Sequence, residues 1–412
     1  MSRLFFRSIT SIIISSLCAT LVVAQRSSDL MQQGSAKFEK GQIKEAIEDF
    51  SKVIYAADAY QVDALLNRGL CYAQLSQLDE AIADFSRGID LAPDYAPLYF
   101  NRGLARLQKN EWKAAHRDFT ITIDLAPGDV EAYLYRGIVR QNLGELTNAL
   151  SDFNTALQRD SKLTPAYYHR GLVLLALHRY QAAINDFSEV IKRDAGNGLA
   201  YALRGKAKNK LNAYQEALQD LNIALILIPD LAEAFVYRGS AIAGLGNLEE
   251  ALENFKAACN LGFDATELKI EEIRAQWLQK KISKAQSALD SLLLKQPNNV
   301  DGLFLRASMN YAQKQWQLAE ADLNKCIQLD PYFWKAHELL ALIAQEQNRY
   351  TDAVDNLNKA IKLNTDYAEL YYQRAQAYWK AGDSKKACAD LRKSKQLGKT
   401  IVEDEFLAIC GT

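Results

Sequence analysis

Residues 99–127, YFNRGLARLQKNEWKAAHRDFTITIDLAP, decide how this chain folds. Gly103 is followed twelve residues later by Ala115, four later again by Phe119, and Pro127 closes the stretch. Apolar residues at i, i+3, i+4 and i+7 mark amphipathic helices, here two of them in antiparallel sequence. The same frame extends in both directions. Gly69, Gly103, Gly137, Gly171, Gly205 and Gly239 stand 34 apart, with Gly34 a further 35 before Gly69. Ala46, Ala81, Ala115, Ala149, Ala183, Ala217 and Ala251 follow, and then Phe50, Phe85, Phe119, Phe153, Phe187, Leu221 and Phe255. Beyond them the glycine slot holds Ile273, Ala307, Ala341 and Ala375, and the aromatic slot Leu289, Leu323, Leu357 and Leu391.

A glycine inside a helix costs about 1 kcal/mol relative to alanine. Seven in one slot need a packing reason: close approach of the paired helix, which the small alanine also permits. The aromatic one turn later fills the space beyond, at about 1.5–3 kcal/mol for a fully buried side chain. Pro93, Pro127, Pro229, Pro297 and Pro331 share one slot after the second helix, while Pro97 and Pro165 open a first helix. None interrupts a helix, as a missing N–H requires.

The whole chain agrees with this reading. Its 412 residues carry a net charge of −1, are 49% hydrophobic and include only seven prolines. Balanced charge argues against a polyanion binder, and the apolar content against disorder. Six cysteines are too few for a disulfide scaffold.

The pattern resembles the tetratricopeptide repeat family over about 27–401; Tyr99 to Gly103 with Ala115, Phe119 and Pro127 carry its small, aromatic and proline slots together. The resemblance implies an all-α, right-handed α-solenoid of about eleven tandem helix pairs. The array divides into repeats 1–7 at 27–265 and repeats 8–11 at 266–401. The first of the latter, 266–299, is degenerate: Ile273 fills the glycine slot and Lys269 the aromatic slot near its start, so a seam or changed curvature is expected there. Residues 402–412 read as a C-terminal cap over the last repeat.

The copies can be compared with one another. Arg68, Arg102, Arg136, Arg170, Arg204, Arg238, Arg306 and Arg374 precede the glycine slot; Asp49, Asp84, Asp118, Asp152, Asp186, Asp220, Asp322 and Asp390 precede the aromatic slot. Seven repeats hold both charges and two hold neither (Glu272 with Ala288, Leu340 with Asn356). This predicts an Arg–Asp tie between first and second helix, Arg102 to Asp118 for example, rather than a ligand-binding arginine.

In the family resembled, first helices line a concave groove that holds a partner segment. The corresponding slots, three before and one after the glycine, read Leu66, Leu70, Phe100, Leu104, Leu134, Ile138, Tyr168 and Leu172, an apolar stripe. Lys206, Asn209, Lys210, Arg274 and Trp277 then make it basic and aromatic. Such a surface suits an amphipathic helix or an extended peptide with acidic residues. The competing reading is that the apolar residues pack neighbouring first helices together or lie under the protein's own N-terminal segment. A clamp for chaperone tails would need lysine and asparagine where Met31, Ser35, Leu66 and Leu70 stand, and is disfavoured. The cations of 380–399 read as a solvated face, and no aromatic ladder accompanies them to suggest nucleic acid.

Residues 1–24 carry Arg3 and Arg7, no acid, and an apolar run from Ile9 to Ala24 ending on Val22-Val23-Ala24. That is the pattern of a cleaved signal peptide, with an uncleaved anchor as the alternative. The expected location is therefore exported, periplasmic or secreted, with no membrane span after cleavage. His116, His169, His178 and His337 lack metal-ligand spacing, and no catalytic or cofactor motif is present. The repeats leave no stretch of catalytic-domain size, so neither an enzyme nor a cofactor is expected. Cys71, Cys259 and Cys326 read as buried thiols, and Cys388 with Cys410 as a candidate disulfide. The function expected is a non-catalytic scaffold that binds peptide or helical segments of other proteins. A holdase for unfolded clients and a regulatory subunit of a separate enzyme are the alternatives.

Overall fold

In the computed structural model, residues 25–57, 59–263 and 265–411 are described. The candidate export segment 1–24 lies outside them. Among the described residues the chain is eleven antiparallel helix pairs and a cap, an α-solenoid, in two compact units that divide at Leu163/Thr164.

The first unit holds four pairs: 25–39 with Ile43–Ala56, Gln61–Gln74 with Leu78–Leu91, Ala96–Gln108 with Trp112–Leu125, and Val130–Asn142 with Leu146–Arg159. The second holds Thr164–Ala176 with Tyr180–Arg193, Gly198–Lys210 with Tyr214–Leu227, and Ala232–Gly244 with Leu248–Asn260. It continues through Ala265–Leu278 with Ile282–Lys295, Val300–Ala312 with Trp316–Leu329, Trp334–Glu346 with Tyr350–Leu363, and Ala368–Lys380 with Ser384–Gln396. Helix Glu403–Cys410 follows, and Ile409 and Phe406 pack on Ala375, Ala387 and Leu391 of the last pair. The position 265/266, where the repeat type changes, falls inside the second unit.

The glycine slot has a more specific reason than close helix approach. A Cβ on Gly137 would stand 2.7 Å from the Phe153 ring, and one on Gly171 2.8 Å from Phe187. The aromatic sixteen residues on lies directly against the glycine backbone. This explains the exchange across the chain: where Ala307, Ala341 or Ala375 occupies the slot, the opposing residue is the smaller Leu323, Leu357 or Leu391. Ile273 is buried completely, opposite Leu289 in the same core cluster.

Each Arg–Asp pair is a two-pronged bond. Arg68 Nε and Nη2 donate to the two carboxylate oxygens of Asp84 at 2.7 Å each, and Arg102 reaches Asp118 at 3.1 and 2.8 Å. The same fork joins Arg136 to Asp152, Arg170 to Asp186, Arg204 to Asp220, Arg306 to Asp322 and Arg374 to Asp390. The two exceptional repeats substitute for it. Lys37 reaches Asp49 from one turn beyond Gln33, and Arg238 donates to Asn254 Oδ1 at 2.7 Å. Nη1, which the pair leaves over, ties several repeats to their predecessors: Arg68 to Ser51 at 2.9 Å, Arg102 to Ser86 at 3.0 Å, Arg204 to Ser188 at 3.0 Å, Arg374 to Asn358 at 2.7 Å. Burial pushes the Asp186 carboxyl above its ordinary pKa despite Arg170, a measure of how dry the site is.

One cysteine reading changes and another holds. Cys71 and Cys326 are buried but Cys259 is exposed, because it falls in the last turn of its helix, beyond the core face. Cys388 and Cys410 form a disulfide, with Cα atoms 4.9 Å apart, that joins the cap to the last repeat.

Among the described residues Asp84 is paired by Arg68 alone, whereas Asp152 is also held by Arg140 at 2.7 Å. Arg68→Ala strands a buried carboxylate and is expected to destabilise the first unit by about 3–5 kcal/mol. Arg136→Ala leaves Asp152 a cation and should cost only about 1–3 kcal/mol. Denaturant unfolding of the two variants checks the order.

Candidate functional site

The first helices of the first unit place the apolar slots at half-buried positions. Leu66 and Leu70 pack on the cluster of Ala81, Phe85 and Leu98, and Phe100 and Leu104 on Phe119 and Val139. The Phe100 ring stands edge-on to Phe119 and Tyr135 at 5.8 Å, and Leu134 is buried. Ile138 keeps part of its surface. These side chains join neighbouring helices as well as facing outward.

In the second unit, Tyr168 packs edge-on to Phe187 at 6.2 Å, and Leu172 is half-buried. The basic slots behave differently: Lys206, Asn209, Lys210, Arg274 and Trp277 all border one cavity of about 860 Å³. It is bordered by the first helices of the sixth to tenth pairs, with Tyr180 and Tyr214 contributed by second helices. The slot rule also supplies Ser240, Phe304, Ser308 and Glu338 to its wall. Asp301 and Lys335, one turn earlier on their helices, complete the charged lining.

The charges are loosely matched. Glu271 accepts from Ser240 Oγ at 3.0 Å and stands 3.6 Å from Arg274 Nη1; Lys210 is 3.9 Å from Asp301. Lys206 has no acid partner among the described residues, and its ammonium sits 5.1 Å over the Tyr237 ring. Most telling is Arg274. Its guanidinium makes no hydrogen bond among the described residues, while every paired repeat arginine spends its fork on an aspartate. Glu271, and then Asp301, hold the Arg274 pKa above its ordinary value. Lys210 draws the Asp301 carboxyl below the carboxylate range, against its burial. The site offers cationic donors and aromatic walls to a guest with an anionic oxygen pair.

Lys335 and Glu338 face the cavity from adjacent turns. Burial pushes Lys335 down to about 8, with Lys210 and Arg274 adding repulsion against the pull of Glu338. Burial pushes Glu338 up to about 7, against Lys335 and a 3.1 Å hydrogen bond from Gln373.

Among the described residues no group of three or more His, Cys, Asp or Glu could hold a metal ion, and no helix is long and apolar enough to cross a membrane. In the last repeat Lys386 pairs with Asp383, Lys399 with Glu369 at 2.5 Å, and Lys395 lies over Phe406. Part of that basic face is thus internally committed.

Family models described as tetratricopeptide repeat match residues 30–60, 62–95, 100–163, 168–232, 270–332 and 368–397, and one described as TPR repeat matches 345–382. The chain belongs to the tetratricopeptide repeat family. No curated protein matches it. Among solved structures, a tetratricopeptide repeat protein from Parabacteroides merdae ATCC 43184 is 19% identical, covering 61% of this chain and 99% of that one at a TM-score of 0.45. Yeast Tom70 is 14% identical, covering 94% of each chain at 0.44. YrrB, described as a TPR protein with an unusual peptide-binding site, is 22% identical, covering 45% of this chain and 95% of its own at 0.41.

The folded state holds the Glu338 proton from the ordinary 4.5 up to about 7, so its contribution to stability falls as pH rises through that window. Lys335 works in reverse: the unfolded chain keeps that proton up to 10.5, so stability recovers above about 8. Glu338→Gln should therefore gain on the wild type in melting temperature between pH 4.5 and 7. Paired melting curves across that range check it.

Proposed function

We propose that this chain is a non-catalytic interaction scaffold whose second unit holds an extended, carboxylate-bearing segment of another protein. The observation that carries the reading is the cavity of about 860 Å³ with the unspent Arg274 fork in its wall. That volume suits a ligand of a few residues. A guest carboxylate would meet Arg274 and Lys206, and its apolar neighbours the rings of Trp277 and Phe304.

A fluorescein-labelled decapeptide alternating Glu with Leu and Phe tests this by anisotropy. Arg274→Ala and Lys206→Ala should each weaken binding about tenfold or more, the worth of a hydrogen bond to a charged group. Leu70→Glu and Leu104→Glu, in the first unit, should leave affinity unchanged. Undiminished binding by Arg274→Ala would remove the cavity from the function.

The compartment proposed is an exported one. The pairing of Cys388 with Cys410 suits an oxidising environment, as does the N-terminal pattern of 1–24. N-terminal sequencing of the protein recovered from its native cells should begin near Gln25; a chain beginning at Met1 would indicate the anchored alternative.

A further inference from the structure

Repeats in a solenoid ordinarily touch only their neighbours. The second unit breaks this rule. The turn between the helices of the fifth pair meets the start of the tenth. His178 Nε2 lies 2.7 Å from Asp330 Oδ2, and Trp334 Nε1 donates to the His178 carbonyl at 2.7 Å. Arg179 Nη2 donates to Asp366 at 2.6 Å. Lys335 Nζ donates to the Lys210 carbonyl at 2.5 Å and stands 5.5 Å over the Tyr180 ring. Asp330 as a carboxylate only accepts, so His178 Nε2 carries a proton, and Nδ1 lies 2.8 Å from the Tyr180 hydroxyl.

Two consequences follow from this closure. Tyr180 and Lys335, which it brings together, both border the cavity. With the contact made, a partner segment, a short peptide included, reaches the cavity only by threading an end along the inner wall; with it open, a sideways route is added. The contact joins polar bonds to an edge-on meeting of the His178 and Phe333 rings at 5.0 Å, and its outer member, the Arg179–Asp366 pair, is half-exposed, an interaction worth about 0–1 kcal/mol. The Trp334 ring, by contrast, packs at 5.0 Å on Tyr367 of its own side and would keep that partner if the contact parted. Closing also holds Lys335 among Lys210 and Arg274, where burial already lowers its affinity for a proton.

We propose that the contact of His178, Arg179 and Tyr180 with Asp330, Trp334, Lys335 and Asp366 is a reversible latch, whose opening admits the guest segment to the cavity. This rests on the cavity being the binding site.

The test uses the full chain, Arg179→Glu and the charge-reversed pair Arg179→Glu/Asp366→Arg. Hydrogen exchange at 332–336 and the association rate of the labelled decapeptide are measured on each. Arg179→Glu is expected to speed exchange there and raise the association rate threefold or more, and the reversed pair to return both to wild type. The direction is diagnostic. Placing a negative charge near the entrance slows an acidic peptide by electrostatic steering, so a faster rate reports opening. Unchanged exchange overturns the latch, and faster exchange with an unchanged or slower rate overturns its control of entry. If no protein binds the decapeptide, the ligand proposal fails separately, and exchange alone decides the latch: a rise that the reversed pair rescues supports it, and no rise refutes it.

Discussion

The seating of one aromatic ring on a bare stretch of helix backbone governs this architecture. Phe153 lies where a Cβ of Gly137 would be, and the same ring-on-glycine fit recurs along the first seven pairs, with Leu221 replacing the ring once. A helix with a glycine in its middle is weaker by about 1 kcal/mol than its alanine counterpart, so the pair forms because the ring returns more than that on burial. The later repeats keep the sum of sizes rather than the residues: alanine faces leucine.

Upon that fit the arginine fork adds direction. Two of its nitrogens hold the aspartate of the same repeat, and in several repeats the third reaches a small polar residue of the repeat before, such as Ser51 or Ser188. A single side chain thus closes a hairpin and stacks it. Its acid partner is buried, and that makes the pair demanding as well as stabilising: an aspartate without its cation would be an uncompensated charge in a dry site. Lys37 at Asp49, and the uncharged Asn254 that accepts from Arg238, show the requirement met by other means.

Against this regular use of arginine, Arg274 stands out. It follows Ile273 in a repeat with no Arg–Asp pair, and it looks into the cavity with its donors uncommitted. The second unit therefore separates its charges into two kinds, those consumed in holding hairpins together and those lining the inner wall. Glu338 and Lys335 belong to the second kind, and their shifted proton affinities report how enclosed that wall is.

The period of 34, the helix pairs, the buried Ala and Phe and the Arg–Asp ties were legible in the sequence because each depends on residues at most sixteen apart, repeated often enough to be compared. The residues bordering the cavity were partly legible for the same reason: Lys206, Arg274, Phe304 and Glu338 sit in groove slots defined by their own helix. Asp301 and Lys335 lie one turn earlier on the same faces, a signal available but weaker. The polar residue after the aromatic slot, Ser51 or Asn358, shows its arginine partner only in the structure. What local spacing could not contain is the meeting of His178 with Asp330 and Arg179 with Asp366, across more than 150 residues. Such contacts depend on small rotations between successive pairs, accumulated over six helical hairpins, and no single residue encodes that sum. The sequence alone thus determined the hairpin and its stacking, while the tertiary structure decided that the second unit turns back on itself and gathers its loosely matched cations around a common interior.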